Sequence, residues 1–372
     1  MIWLLLAIPF AYQAIAVLAC LKWLFRPDPS PVRAPGISVL KPVRGNDPGF
    51  YEALRSHALL DYPEFELLFA VPEAEDPAMP VVERLMREFP GVPIRLIVRQ
   101  TDAPNGKVGS MIDLQRLARH DVLLVSDGDI RVDRDYLCRV VAPLEDAKTG
   151  LVTCLYRPRG HSPAGWFEAA GVATDFAPSV LVSRLIGIAG YGLGSTLVFR
   201  RADLKKIGGF EAIADYLADD YQLGAFLSRA GYRIHLSREV VETSLPARDF
   251  RGAWEHQVRW ARTVRVSRDG LIGYLGLPLT FATVWALAAA LAGLYAAAGI
   301  LLAARLTMAL VASGFVLRDQ RAPLYALLTP FRDMWGAAVW VAGLFGDTVV
   351  WSGCTLKLRK DGKISGDPRG VS

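Results

Sequence analysis

Val122-Leu123-Leu124-Val125-Ser126-Asp127-Gly128-Asp129 reads as a short apolar strand that ends on two carboxylates separated by one glycine. A strand without a polar face is buried on both sides, as in mainly parallel sheets covered by helices. The residues before it repeat the pattern. Gly36 to Pro42, Phe65 to Val71 and Ile94 to Val98 are β-rich runs, and prolines end the first two. Between the runs, Phe50 to Leu60, Met79 to Phe89 and Val108 to Arg119 carry helical spacing. Strand and helix alternate, which predicts an α/β domain built on a mostly parallel sheet. Ligands of such sheets bind outside the carboxyl ends of the strands. Both Glu75-Asp76 and Asp127-Gly128-Asp129 fall at such ends.

Asp127 and Asp129 can converge on one hard cation, with Gly128 allowing close backbone approach. Such a cation keeps several waters and bridges substrate phosphates, where it neutralises charge growing on a leaving diphosphate. The same residues also suit a plain turn. Glu75-Asp76, inside Pro72-Glu73-Ala74-Glu75-Asp76-Pro77, offers a carboxylate to a nucleobase N–H or a ribose; Asp76 ahead of Pro77 equally suits a helix cap. Asp219-Asp220 opens an apolar helix. Asp219 reads as the cap, and its charge raises the pKa of its neighbour, which suits Asp220 to a general base. From Trp254 to Arg265, Arg259, Arg262 and Arg265 share one helical face. The helix reads either as an amphipathic element on anionic lipid, with Trp254 and Trp260 at the interface, or as one that sets Arg259 at a diphosphate and Trp260 at an acceptor.

Hydrophobic residues make up 52% of the 372 positions, and the excess gathers at the two ends. Ile2 to Phe25 is apolar apart from Gln13 and Lys22. The run is long enough to cross a bilayer, and Lys22 and Arg26 follow it instead of preceding it, unlike a signal peptide. These features predict an anchor, residues 1–26, with the following domain in the cytoplasm. Leu275 to Leu317 carries one charge, Arg305, and permits two spans; Met334 to Trp351 is a weaker third stretch, interrupted by Asp347. Three crossings would leave the basic Lys357-Leu358-Arg359-Lys360 outside, so one stretch is expected to be re-entrant or interfacial. The expected organisation is an anchor at 1–26, a catalytic domain at 27–270, a transmembrane or re-entrant region at 271–353 and a basic tail at 354–372. A net charge of +5 is too mild to argue for nucleic acid. It suits a protein facing anionic headgroups. The four cysteines form no CxxC pair.

The ordered motifs resemble inverting family-2-type glycosyltransferases and, more narrowly, the ceramide glucosyltransferase family with its bacterial hopanoid-associated branch. Ser38 to Gly45, Leu60-Asp61-Tyr62-Pro63, Glu75 to Ala78, Ser126 to Val132, Ala218 to Tyr221 and Arg259-Trp260 carry the resemblance. It implies a GT-A fold, a UDP-sugar donor, a divalent metal (Mn2+ or Mg2+), inversion at the anomeric carbon and a cytosol-facing site. It makes Asp220 the base and places Lys41, Asn105 and Lys107 with Glu75, Asp76 and Asp127 at the donor, Asp127 and Asp129 at the metal, and Arg259 and Trp260 at the catalytic centre. The first position of the late signature is His256, where the family has Arg or Gln. The implied reaction moves a hexose, glucose in first place, to a lipid hydroxyl. An alternative is N-acetylglucosamine transfer to a hopanoid; a processive polysaccharide synthase is a third reading, with more spans than are found here. The implied location is a bacterial inner membrane.

A lipid acceptor must reach the site from the bilayer, because each exposed CH₂ costs about 0.8 kcal/mol. Trp166 to Ile188, with Phe176 and Leu181, reads either as an apolar acceptor surface within the catalytic domain or as ordinary core. Trp254, His256 and Asp219 are the remaining candidates on the acceptor side.

Overall fold

The computed structural model describes residues 2–29, 33–267, 271–351 and 354–365. The end of the expected basic tail, residues 366–372, and the expected domain boundary at 270 lie outside the described residues. The chain forms two compact units. A sheet unit comprises Asp28–Tyr156, Gly190–Ser244 and Val350–Ser372, and a helical unit comprises Met1–Pro27, Arg157–Ala189 and Leu245–Val349.

The sheet unit is built on β1 (Ile37–Pro42), β2 (Phe65–Val71), β3 (Ile94–Val98), β4 (Val122–Val125), β5 (Ile130–Arg131), β6 (Thr149–Arg159), β7 (Leu197–Arg200) and β8 (Arg233–Ser244). Their order is β3-β2-β1-β4-β7-β6-β8-β5. β3, β2, β1 and β4 are parallel, with Val39 facing Leu67 on one side and Leu124 on the other. β7 adds antiparallel to β4, β6 to β7, and β5 to β8. Alternate residues of one strand enter opposite layers of core. Val39, Leu67 and Phe69 pack with Phe50, Leu54, Val82 and Leu85, whereas Leu40, Leu68 and Ala70 pack with Val108, Met111, Leu114 and Leu223. Both faces are therefore dry, which explains the unbroken apolar runs. β3 is one of the two edge strands, and all its residues are only half-buried.

A second sheet forms where the sequence predicted a tail. β9 (Thr348–Trp351), β10 (Cys354–Leu358) and β11 (Ile364–Ser365) stand in the order β11-β10-β9. Leu358 faces Ile364 across a tight turn in which Gly362 has φ +80°. The third apolar stretch, Met334 to Trp351, is thus not one segment. Its first part ends the helix Ala322–Gly343, and its last part is β9.

In the helical unit, Leu6–Phe25 and Tyr295–Val316 are long and apolar enough to cross a membrane. Gly273–Thr280 and Ala282–Leu291 form a pair bent by 64°, a broken span or a re-entrant loop. Gln13 of the first helix donates to the carbonyls of Leu279 (3.2 Å) and Thr280 (3.4 Å) at that bend, supplying donors where helical pairing stops. Arg305 is fully buried on the Tyr295–Leu310 helix. It binds Asp333 at 2.7–3.1 Å and the Thr174 carbonyl at 2.8 Å, and also reaches Asp175. The isolated charge in the apolar stretch is therefore an internal clamp between helices.

Candidate active site

Four carboxylates and two lysines gather in the sheet unit beyond β1 and β4. Lys41, next to the last residue of β1, has no exposed surface; its ammonium reaches the Asp127 carbonyl (2.9 Å), Ser126 Oγ (3.3 Å) and His57 Nε2 (3.4 Å). Burial pushes Lys41 down to about 7, against the pull of Asp129 and Asp127. His57 is also fully buried and held well below its usual pKa by burial and by Lys41. Its Nδ1 lies 3.0 Å from the Ala53 carbonyl. A proton on that nitrogen leaves Nε2 to accept from Lys41. Lys41 thus supports the Asp127 loop from beneath and touches no solvent.

Asp129 is clamped by the short antiparallel pair β5–β8. Ile130 faces Thr243, whose hydroxyl donates to Asp129 Oδ2 at 2.5 Å. Burial, and then the Asp127 charge, push Asp129 up to about 6. Asp127 is the more open of the two and meets Lys107 Nζ at 2.6 Å. Lys107 also pairs with Asp219 at 3.2 Å, and the surrounding carboxylates raise its pKa against the effect of burial.

Asp219 does not cap its helix. Ala218 holds the cap position without a side-chain bond, and the Asp219 carboxylate instead faces Lys107 and, at 3.4 Å, Asn105 Nδ2. Asp220 turns the other way. Its Oδ2 accepts from Gly194 N at 2.7 Å and its Oδ1 from its neighbour Tyr221 N at 2.7 Å. Burial, and then Asp219, push Asp220 up to about 6, while Lys107 pulls it down. Gly194 sits between the two acidic motifs: a Cβ there would lie 2.7 Å from Asp127 Oδ2 and 3.2 Å from Asp220 Oδ2. Only glycine lets these carboxylates flank one backbone position. The sequence reading missed it, although Gly190, Gly192 and Gly194 alternate in plain view.

Other predicted residues hold the frame. Asn105 is fully buried, caps the helix Gly106–Leu117 through Lys107 N (3.0 Å) and Val108 N (3.3 Å), and donates to the Tyr216 carbonyl at 2.8 Å. With no exposed surface it acts on a ligand only through Lys107. Asp76 is buried and accepts from Gly45 N (2.8 Å) and Ala78 N (2.9 Å), whereas Glu75 is exposed. The acid of that run in a cavity wall is Glu73. The cavity, about 480 Å³, lies beyond β1–β3; its wall includes Arg44, Glu73, Arg99, Asp102, Lys107 and Trp351. Three cations against two carboxylates make it a fitting seat for an anion. The sequence reading missed Arg44 and Arg99.

The late signature belongs to the helical unit. His256 Nδ1 lies 2.6 Å from Glu168 Oε1, and its ring packs 5.0 Å from Trp260, which in turn packs on Phe176 at 6.2 Å. Burial pushes Arg259 down to about 10, helped by Arg248 and opposed by Glu168. Trp254 packs edge-on against Trp335 at 5.2 Å. Arg262 and Arg265 donate to carbonyls between Leu344 and Thr348, just past the helix Ala322–Gly343, so the expected arginine stripe is partly consumed inside the protein. Trp166 to Ile188 also lies in this unit and not with the sheet. Leu181 is buried and Phe176 half-buried, which removes Leu181 from an open acceptor surface: packing within the helices has used it.

Among the described residues, no three His, Cys, Asp or Glu side chains converge to hold a metal by themselves. An oxygen-only pair such as Asp127 and Asp129 is what a cation completed by phosphate oxygens and water requires.

The fold has a solved likeness in a mannosyltransferase from Pyrobaculum calidifontis, in complex with GDP-Man and Mn2+. It has a TM-score of 0.54 at 21% identity and covers 92% of this chain and 99% of that one. Ceramide glucosyltransferase 1 of Caenorhabditis elegans is 30% identical over 217 residues, 57% of this chain and 45% of that protein. The ceramide glucosyltransferase of Komagataella phaffii is 30% identical over 121 residues, 31% of this chain and 24% of that protein. The matches thus span less than half the length of these relatives. The model of glycosyl transferase family 21 matches residues 1–364, which include Asp127 and Asp129, Asp219 and Asp220, Lys107 and the late signature; the chain belongs to that family, and its fold is GT-A-like.

Proposed function

We propose that the chain is a membrane-bound inverting enzyme that moves a hexose, glucose in first place, from a UDP-sugar to a lipid hydroxyl, in the manner of ceramide glucosyltransferases. The observation that carries the reading is the flanking of Gly194 by Asp127 and Asp220, with Asp220 pushed up to about 6. At neutral pH that carboxylate is ionised and still basic enough to take the proton of an attacking hydroxyl. Lys107, held by Asp127 and Asp219, and the cavity-lining Arg44 and Arg99 supply positive charge for a diphosphate. Asp127 and Asp129 would hold a divalent cation, Mn2+ or Mg2+, which when bound neutralises charge on the leaving diphosphate. Asp220 takes the acceptor proton as the new glycosidic bond forms, and the bond from the anomeric carbon to the diphosphate breaks on the opposite face. The two apolar helices fit an acceptor drawn from a bilayer. The expected organisation stands as a proposal with three changes: Arg157–Ala189 and the stretch from Leu245 group with the apolar helices, and the tail joins the sheet unit through β10 and β11.

The test is the purified chain in detergent with a panel of UDP-sugars and lipid acceptors, ceramide and a hopanoid polyol among them, and products read by mass spectrometry. Transfer from UDP-glucose to ceramide is expected, and Asp127→Asn or Asp129→Asn should cut it roughly 100-fold or more. Transfer only from UDP-N-acetylglucosamine to the hopanoid would replace the glucose and ceramide assignment. Full activity in excess chelator would remove the metal.

A further inference from the structure

We propose that the C-terminal β9–β11 sheet is a working wall of the donor cavity and that Trp351 is a nucleotide-binding residue, offering its indole face to the nucleobase. The inference rests on the reading above that this cavity takes a nucleoside diphosphate. Two independent observations carry it. First, Trp351 of β9 and Leu356 of β10 line the same cavity as Arg44, Arg99 and Lys107. The cations answer the diphosphate, and Pro42, Val43 and Pro72, at or just past the ends of β1 and β2, offer no aromatic ring. A planar base finds its flat apolar partner only in Trp351 among the lining residues.

Second, the hairpin is fastened to the loop that builds the site. Ile364 N donates to the Asp215 carbonyl at 2.7 Å, and Lys363 bridges to Tyr216 as an isolated antiparallel pair. The Lys363 ammonium lies 3.3 Å from Asp215 Oδ2 and 5.5 Å from the Tyr216 ring centroid. The same loop receives Asn105 N on the Ala214 carbonyl at 2.9 Å and Asn105 Nδ2 on the Tyr216 carbonyl at 2.8 Å. It then runs into Asp219 and Asp220. One loop thus ties the hairpin to Asn105, which starts the helix presenting Lys107. Displacing the hairpin moves an aromatic wall and loosens the latch on the loop.

The experiment is calorimetric titration of the full chain in nanodiscs with UDP, GDP and inorganic pyrophosphate, using wild type, Trp351→Ala, Trp351→Phe and Lys363→Ala. Without an aromatic face for the base to stack on, Trp351→Ala should bind UDP about ten-fold or more weakly. Pyrophosphate, held by the cations, should bind as in wild type. Trp351→Phe should recover most of the loss, and Lys363→Ala should reproduce part of it. Equal UDP affinity in wild type and Trp351→Ala overturns the inference while leaving the reading of the cavity intact. So does a parallel loss of UDP and pyrophosphate in every folded variant. Wild type that binds pyrophosphate but discriminates no nucleotide from it overturns the reading of the cavity, and the inference with it. If Trp351→Ala does not fold, Trp351→Leu and Lys363→Ala decide: UDP bound more weakly with pyrophosphate unchanged supports the wall, and an unchanged ratio of UDP to pyrophosphate affinity in both rejects it.

Discussion

Asp219 and Asp220 are neighbours in sequence with different surroundings. Asp219 shares Lys107 with Asp127, and Asp220 is held by two backbone amides and pushed up to about 6. Asp220→Asn should leave donor binding near wild type and collapse turnover, because the amide keeps hydrogen bonds but loses the proton acceptor. Asp219→Asn should raise the KM for the donor more than it lowers kcat, because Lys107 loses one of its two anchors. Equal losses of kcat in the two variants would reverse the assignment. In the helical unit, the pair His256–Glu168 sets a pH dependence of stability. Burial lowers His256 despite its carboxylate partner; Glu168, which burial raises, ends below its usual range through His256, Arg248 and Arg332. For both groups the unfolded chain binds protons more readily than the fold, so stability falls as pH drops. Loss should begin near the unfolded histidine value of about 6.5 and continue below the unfolded glutamate value of about 4.3. Thermal unfolding between pH 8 and pH 4 would show it, and His256→Gln should remove the upper part of the slope. A slope unchanged in that variant would place its origin elsewhere. Asp220 and Asp127 could be read from sequence because each opens or follows a strongly patterned element. Gly194 could not, since its importance lies in two carboxylates that come near it only in three dimensions.

Elements differ in how plainly they announce themselves. β1, β2 and β4 are flanked by helices on both faces, so apolar residues fill consecutive positions and the strands stand out. β10 alternates exposed and buried residues, Thr355, Leu356, Lys357 and Leu358, and Asp361-Gly362 marks a hairpin turn. Lys357 in the strand and Arg359-Lys360 just beyond it read as a cytosolic tail, because their charges outweigh the alternation. The helix Phe250–Ser267 shows the converse. Its arginines resembled a lipid-facing stripe, yet Arg262 donates to Phe345 O (3.0 Å) and Thr348 O (2.6 Å), and Arg265 reaches Leu344 O and Gly346 O. These carbonyls follow a helix end, where intrahelical donors run out. Arg262→Ala and Arg265→Ala should each cost about 1 kcal/mol of stability. The double variant should unfold earlier in detergent while binding anionic vesicles like wild type. Weaker vesicle binding at unchanged stability would restore the lipid-facing reading for this pair.

At the scale of the molecule, the first helix is more than a tether. Leu6, Pro9, Gln13, Ala16, Ala19, Cys20 and Trp23 are buried and recur at spacings of three and four, and the exposed Ile8, Phe10, Ile15, Leu18 and Leu21 occupy the remaining face. Hydropathy alone could not separate the faces, because both are apolar. Gln13 supplies donors at the bend between Gly273–Thr280 and Ala282–Leu291, and Tyr12 lies 3.2 Å from Ser179 Oγ. Without Gln13 the freed carbonyls at the bend lose a donor in a region with little water, which costs far more there than at a wet surface. Exchanging residues 2–25 for an unrelated apolar helix of equal length should therefore keep the chain in the membrane fraction yet sharply increase proteolysis of the helical unit. Restoring Gln13, Ala16, Cys20 and Trp23 within the foreign helix should recover much of the protection, because those positions supply the packed face and the donor. If the foreign helix protects as well as the native one without these residues, the first helix is an anchor and nothing more.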